Sequence, residues 1–254
     1  MTTQFDNPPA ASVRTYLIYV VLDTSESMRV PKPGTQQRSA PLDHFIDLFP
    51  RMIRELAANP VTNNLAAVSV LAFNDDAEVL RPMTPLDRAV PIGKPRIGFG
   101  TDYAGVLKFL VAQHVKDVRA VKQDRSRDGY NVDVARPWIF FVTDGRPFAH
   151  DADQAKAEWM QYREQLTDPP TEARIVAIGL PGADEDVLWW LATGNEHGLR
   201  RNAFISDQRR ADPKELSVSV VDAIKSSISA SARTGLLSIR TPVGMRRIDG
   251  PTNG

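Results

Sequence analysis

The run Tyr16-Leu-Ile-Tyr-Val-Val-Leu22 carries no charged residue and is too short for an ordinary helix. β-Branched and aromatic residues without polar alternation mark a strand buried on both faces, as in the middle of a parallel sheet covered by helices. Similar runs recur at 65–73, 138–142 and 174–180, with a weaker one at 203–205, and helical patterns lie between most of them. The alternation predicts an α/β chain: a doubly wound, mainly parallel sheet with helices on both faces, in three layers. Its 254 residues can bury one sizeable core, so a single domain is expected over 14–231, with flexible segments at 1–13 and 232–254.

Between the first two runs, Phe45, Ile46, Leu48, Phe49, Met52, Ile53 and Leu56 recur at helical spacing, with Pro50 expected to kink or split the helix. After Thr101, the stripe Val106, Leu107, Leu110, Val111, Val115 and Val118 predicts a second helix, with Asp102 at its amino terminus. Ala155, Trp159, Tyr162 and Leu166 form a third stripe. Asp212-Pro213 ahead of Leu216, Val220, Ile224 and Ile228 reads as an N-cap, a proline at the first helical position and an apolar face. Residues 122–136 read as a polar insert before the third strand.

Lys plus Arg and Asp plus Glu each number 31, so global charge gives no reason to expect nucleic acid or an anionic membrane surface as partner. With no cysteine, disulfides, thiolate ligands and a cysteine nucleophile are excluded. The first residues lack a basic region followed by an apolar stretch, and no segment approaches membrane-spanning length. A soluble, cytoplasmic protein is the expectation.

The first run ends in Asp23-Thr-Ser25-Glu-Ser27, a carboxylate and two hydroxyls at alternate positions. Ligands of open α/β sheets bind beyond the carboxyl ends of the strands, and a hard cation such as Mg2+ takes oxygen donors. The same residues also serve as turn formers and helix caps, so this fragment alone leaves both readings open. Two further pieces join it. Gly98-Phe-Gly100-Thr101 places a hydroxyl before the second helix, and Trp138-Ile-Phe-Phe-Val-Thr-Asp144-Gly145 places a second carboxylate at the end of another buried run. No Gly-Lys-Ser/Thr follows the glycines, which argues against a phosphate-binding loop.

Asp23, Ser25, Ser27, Thr101 and Asp144, in this order and strand context, resemble the metal-ion-dependent adhesion site (MIDAS) of the von Willebrand factor A family. The resemblance covers residues 14–231 and implies hydroxyl ligation by Ser25, Ser27 and Thr101. Asp23 and Asp144 would act directly or through water. It further implies a bound Mg2+, with Mn2+ or Ca2+ as alternatives, and a protein partner that offers an acidic side chain to the metal. Gly98 and Gly100 would let the loop turn tightly beside it. Within the family the chain is most similar to the bacterial TerY type of tellurium-resistance and stress proteins, through Leu22-Asp-Thr-Ser-x-Ser-Met28, Pro137 to Pro147, Ile175 to Pro181, Val187-Leu-Trp-Trp-Leu191, Phe204-Ile-Ser and the Ser-rich last helix. That likeness implies Ter-system components or companion kinase and phosphatase proteins as partners. Glu26 departs from the small residue usual at its position, and is expected to point into solvent.

The resulting expectation is a non-enzymatic, metal-dependent protein-binding module. A metal-dependent phosphohydrolase is an alternative, weakened because the aspartyl-phosphate enzymes that begin this way have Asp where Ser25 stands. A scaffolding subunit with a purely structural metal is another. His44, His114, His150 and His197 form no close pair, and His150 is expected at the surface. Asp75 and Asp76 read as turn residues, and at least one of Trp189 and Trp190 as core.

Overall fold

The computed structural model describes residues 12–30, 40–96, 98–127, 129–194, 200–206 and 212–251. Strand β1 (Ser12–Asp23) is followed by the single turn α1 (Glu26–Arg29) and helices α2 (Pro41–Ala57) and α3 (Pro60–Leu65). Strands β2 (Ala66–Phe73) and β3 (Ala77–Pro85) precede the long helix α4 (Tyr103–Arg127), which leads to β4 (Asn131–Val134) and β5 (Trp138–Thr143). A small hairpin, β6 (Phe148–Ala149) and β7 (Ala152–Asp153), comes before α5 (Lys156–Thr167) and β8 (Arg174–Gly179). Helix α6 (Glu185–Leu191), β9 (Ala203–Ser206), α7 (Pro213–Thr234) and β10 (Met245–Arg247) complete the described chain.

The main sheet runs β10-β9-β8-β5-β1-β2-β3, with β4 beside the start of β1. All neighbours are parallel except β3 on β2 and β10 on β9. The chain builds outward from β1 through β2 and β3, then crosses to β5 and builds the other way. This reversal opens a crevice at the carboxyl ends of β1 and β5, where Leu22 pairs with Val142. Successive side chains of β1 point to opposite faces. Ile18, Val20 and Leu22 meet Phe45, Phe49, Val220 and Ile224 of α2 and α7. Leu17, Tyr19 and Val21 meet Val106, Leu107, Leu110 and Trp159 of α4 and α5.

Helix α2 runs unbroken through Pro50. A proline inside a helix costs about 3 kcal/mol. Against this, α2 buries Phe45, Phe49, Met52, Ile53 and Leu56, each contributing roughly 1.5–3 kcal/mol. Packing wins over the lost bond. On α4, Val106, Leu107 and Leu110 are buried as expected, whereas Val115 is exposed.

Several boundaries differ from the sequence expectation. The supposed insert is structured: residues 122–127 finish α4, and β4 pairs with Ser12–Thr15. Residues 12 and 13 therefore belong to the sheet, while 1–11 lie outside the described residues. The C-terminal segment is no free tail as far as 251. Met245–Arg247 pairs with β9, and Leu237 and Ile248 are buried. Trp189 and Trp190 are both half-buried and pack against the core without entering it, a role taken by Leu188 and Leu191.

One polar cluster interrupts the second core. The Tyr19 hydroxyl donates to Asp117 Oδ2 at 3.0 Å and lies 3.2 Å from His114 Nδ1, while Gln113 Nε2 donates to Asp117 Oδ1 at 2.8 Å. Burial holds the Asp117 carboxyl above its ordinary pKa and the His114 imidazole below its own. Replacing Tyr19 by Phe removes a donor from a carboxylate only 4% exposed. The expected cost is about 1–3 kcal/mol in urea unfolding, with the slope m unchanged.

Candidate metal centre

The apolar register of β1 carries Asp23 into the crevice with no exposed surface. Its Oδ1 accepts the Ser25 backbone N–H at 2.9 Å, and its Oδ2 accepts the Thr143 hydroxyl at 2.6 Å. Thr24 anchors the turn: its N–H and its hydroxyl donate to the Phe73 carbonyl at 2.8 and 3.0 Å. Ser25 is the N-cap of α1, so the chain curls immediately and returns Ser27 to the same spot. The Ser25 and Ser27 hydroxyls lie 3.2 Å apart, and Ser27 donates to Asp144 Oδ1 at 2.7 Å. Met28, fully buried, pins α1 to the first core.

Thr101 arrives from the other side. Its N–H donates to the Phe148 carbonyl at 2.7 Å and its carbonyl accepts the Phe148 N–H at 3.1 Å, so the β6–β7 hairpin holds it directly. Gly145 lets the segments close up, since a β-carbon there would stand 3.2 Å from Thr101 Oγ1 and 3.6 Å from Asp23 Oδ2. The five residues expected from the sequence thus line one crevice, with Asp23, Ser25, Thr101 and Asp144 buried and Ser27 exposed. Glu26 is exposed in the first turn of α1 and His150 is exposed on the hairpin, while His197 lies outside the described residues.

Sequence reasoning missed a supporting layer. Asn74 Nδ2 donates to Thr24 Oγ1 and to the Arg96 carbonyl, both at 3.1 Å. Asp75, read as a turn residue, accepts the N–H groups of Phe99 and Gly100, each at 2.8 Å, and so fixes the loop that delivers Thr101. The glycines there serve close approach: a β-carbon on Gly100 would sit 2.4 Å from Asp75 Oδ1, and one on Gly98 2.3 Å from the Asn74 side chain. Asp102 accepts the Gly105 N–H at 2.7 Å, confirming the expected start of α4. The Thr143 hydroxyl, besides bonding Asp23, accepts the Gly145 N–H at 3.1 Å.

Burial, and then the neighbouring Asp144 carboxylate, raise the Asp23 pKa to about 7, opposed only by hydrogen bonds from Thr143 and Ser25. Among the described residues, no lysine, arginine or histidine contributes to that balance. Two close carboxylates and three hydroxyls make an all-oxygen donor set that fits a hard divalent cation and offers nothing to a soft one. Among the described residues, no group of three or more His, Asp or Glu side chains gathers elsewhere into a metal site. No helix among them is long and apolar enough to cross a membrane.

No family model matches the sequence, and no curated protein sequence matches it. Solved structures do resemble it. A mutant of the PilB minor pilin from Streptococcus sanguinis aligns with a TM-score of 0.51 at 13% identity, over 91% of this chain and 65% of its own. A von Willebrand factor type A protein from Catenulispora acidiphila aligns at 0.48 and 12% identity, over 84% of this chain and 42% of its own. Proximal thread matrix protein 1 from the mussel byssus, with a zinc-occupied MIDAS motif, aligns at 0.47 and 15% identity, over 86% and 48%. The chain spans less than half the length of these last two. At such identities the likeness is one of architecture alone: a mostly parallel sheet between two helical layers.

Proposed function

We propose that the chain is a non-enzymatic binding module that recognises a protein partner through a divalent cation. Ser25, Ser27 and Thr101 hold the ion through hydroxyls, and Asp23 and Asp144 balance its charge directly or through water. The supporting observation is the convergence of two buried carboxylates and three hydroxyls at the switch point of the sheet. Neutral hydroxyl ligands leave the ion short of close negative charge, so it favours an outside carboxylate. Mg2+ is the first choice for an all-oxygen site of this size, ahead of Mn2+ and Ca2+. The motif likeness to TerY-type proteins supports a place in a bacterial tellurium-resistance or stress system, with Ter components or companion kinase and phosphatase proteins as partners.

Isothermal titration of the full chain with MgCl2 and MnCl2 tests this reading. Saturable one-site binding is expected, and Asp144→Ala should weaken it more than 10-fold. Steady phosphate release from p-nitrophenyl phosphate, abolished by Asp23→Asn, would instead identify a phosphohydrolase. Metal-dependent melting without any carboxylate-dependent partner binding would identify a structural ion.

A further inference from the structure

On the far side of the β6–β7 hairpin lies a cavity of about 310 Å3 that the metal site does not use. Its wall is apolar where Val187 and Trp190 face it, and carries Asp153, Asp184 and Asp186; Asp153 pairs with Arg146 of the same lining at 3.2 Å, and Asp184 accepts the Val187 N–H at 3.1 Å. The carboxylates come from two separate segments, the hairpin and the start of α6. The Lys156 ammonium rests over the Trp190 ring, 3.0 Å from its centroid. The neighbouring Trp189 carries the Arg201 guanidinium at 3.9 Å, so both indoles face cations.

Lys156 is an odd resident. It is the first residue of α5, where the helix dipole disfavours positive charge. Its side chain is therefore better explained by the cavity than by its own helix. An exposed, four-carbon stem can swing out at little cost. An aromatic face, an aliphatic wall and carboxylates that outnumber the cations of the lining suit a long side chain with a cationic head. The cavity is also joined to the metal centre. Gln154, which lines it, accepts the Tyr103 and Ala104 N–H groups at 3.0 and 3.3 Å and donates to Asp102 Oδ1 at 2.7 Å, next to Thr101.

We propose that this cavity is a recognition subsite for a lysine or arginine side chain of a bound protein, and that Lys156 is its internal occupant, displaced when that side chain arrives. A partner would then be read at two points, by an acidic residue at the metal and a basic one here. The subsite does not require the metal reading to hold.

The test uses the 15N-labelled full chain without added metal, so that failure here is separate from failure of the metal site. The chain has four tryptophans, and the Trp190 indole N–H signal is assigned with Trp190→Phe. Nα-acetyl-lysine methylamide is expected to shift that signal saturably, and the norleucine analogue, which keeps the stem without the ammonium, is not. Lys156→Ala should tighten the lysine probe by about 3- to 10-fold by removing the competitor. Asp186→Asn should weaken it severalfold. Equal shifts with the norleucine probe, no saturable shift with either wild type or Lys156→Ala, or an affinity unchanged in Lys156→Ala would each overturn the proposal.

Discussion

Asp23→Asn should abolish the thermal response to Mg2+ while leaving the metal-free protein at least as stable as wild type at pH 8. The two halves of that result have separate causes. An asparagine keeps an acceptor for the Ser25 N–H and can donate to the Thr143 hydroxyl, so the hydrogen bonds at 2.9 and 2.6 Å have replacements. It also removes a buried negative charge beside Asp144, whose repulsion helps to hold the Asp23 pKa at about 7. Wild type should gain about 3 kcal/mol at a metal concentration 100 times Kd, which is roughly 5–10 °C in Tm for a chain of this size. The variant should gain less than 1 °C. A wild-type protein that melts at the same temperature with and without 10 mM MgCl2 would remove the basis of the account.

Arg81→Ala should cost about 3–5 kcal/mol, the largest loss expected away from the metal centre. Arg81 lies on β3 with no exposed surface and pairs with Val70, on either side of which the β2–β3 register shifts. Its Nη1 donates to the Val68 carbonyl and, at 3.3 Å, to that of Thr84, and its Nη2 reaches the Arg88 carbonyl at 3.5 Å. Burial lowers its pKa to about 10, a real penalty for holding a cation there. Losing it, however, strands carbonyls at about 1–3 kcal/mol each and opens a cavity, and the sum exceeds the relief. Arg81→Met, which refills the volume without the donors, should lose roughly half as much by urea unfolding. Equal losses for Ala and Met would mean the hydrogen bonds carry the effect, and no loss for either would contradict this description of the bulge.

The central strands were legible because burial on both faces leaves an unbroken apolar run, and β1, β2, β5 and β8 all carry one. The edges were not. Strand β3 contains Glu78, Arg81, Pro82 and Pro85, so composition hides it, and its pairing depends on the Arg81 side chain filling the bulge. Strands β4 and β10 are short and polar, and only their neighbours make them strands. The same division holds at the site. Asp23, Ser25, Ser27, Thr101 and Asp144 could be found because each sits at the end of a readable run or the start of a readable helix. Asn74, Asp75 and Gln154 could not, since a polar residue in a turn has many local uses and only the fold shows that Asn74 braces Thr24 while Asp75 and Gln154 hold the segments on either side of Thr101.

Crystals of the full chain grown with MnCl2, measured at a wavelength where manganese scatters anomalously, test the central claim most directly. One strong peak is expected in the crevice between Asp23 and Asp144, with the Ser25 and Ser27 hydroxyls in its coordination sphere and at least one position held by water or an outside carboxylate. An empty crevice at saturating manganese, or a peak bound only by exposed carboxylates elsewhere, would contradict it.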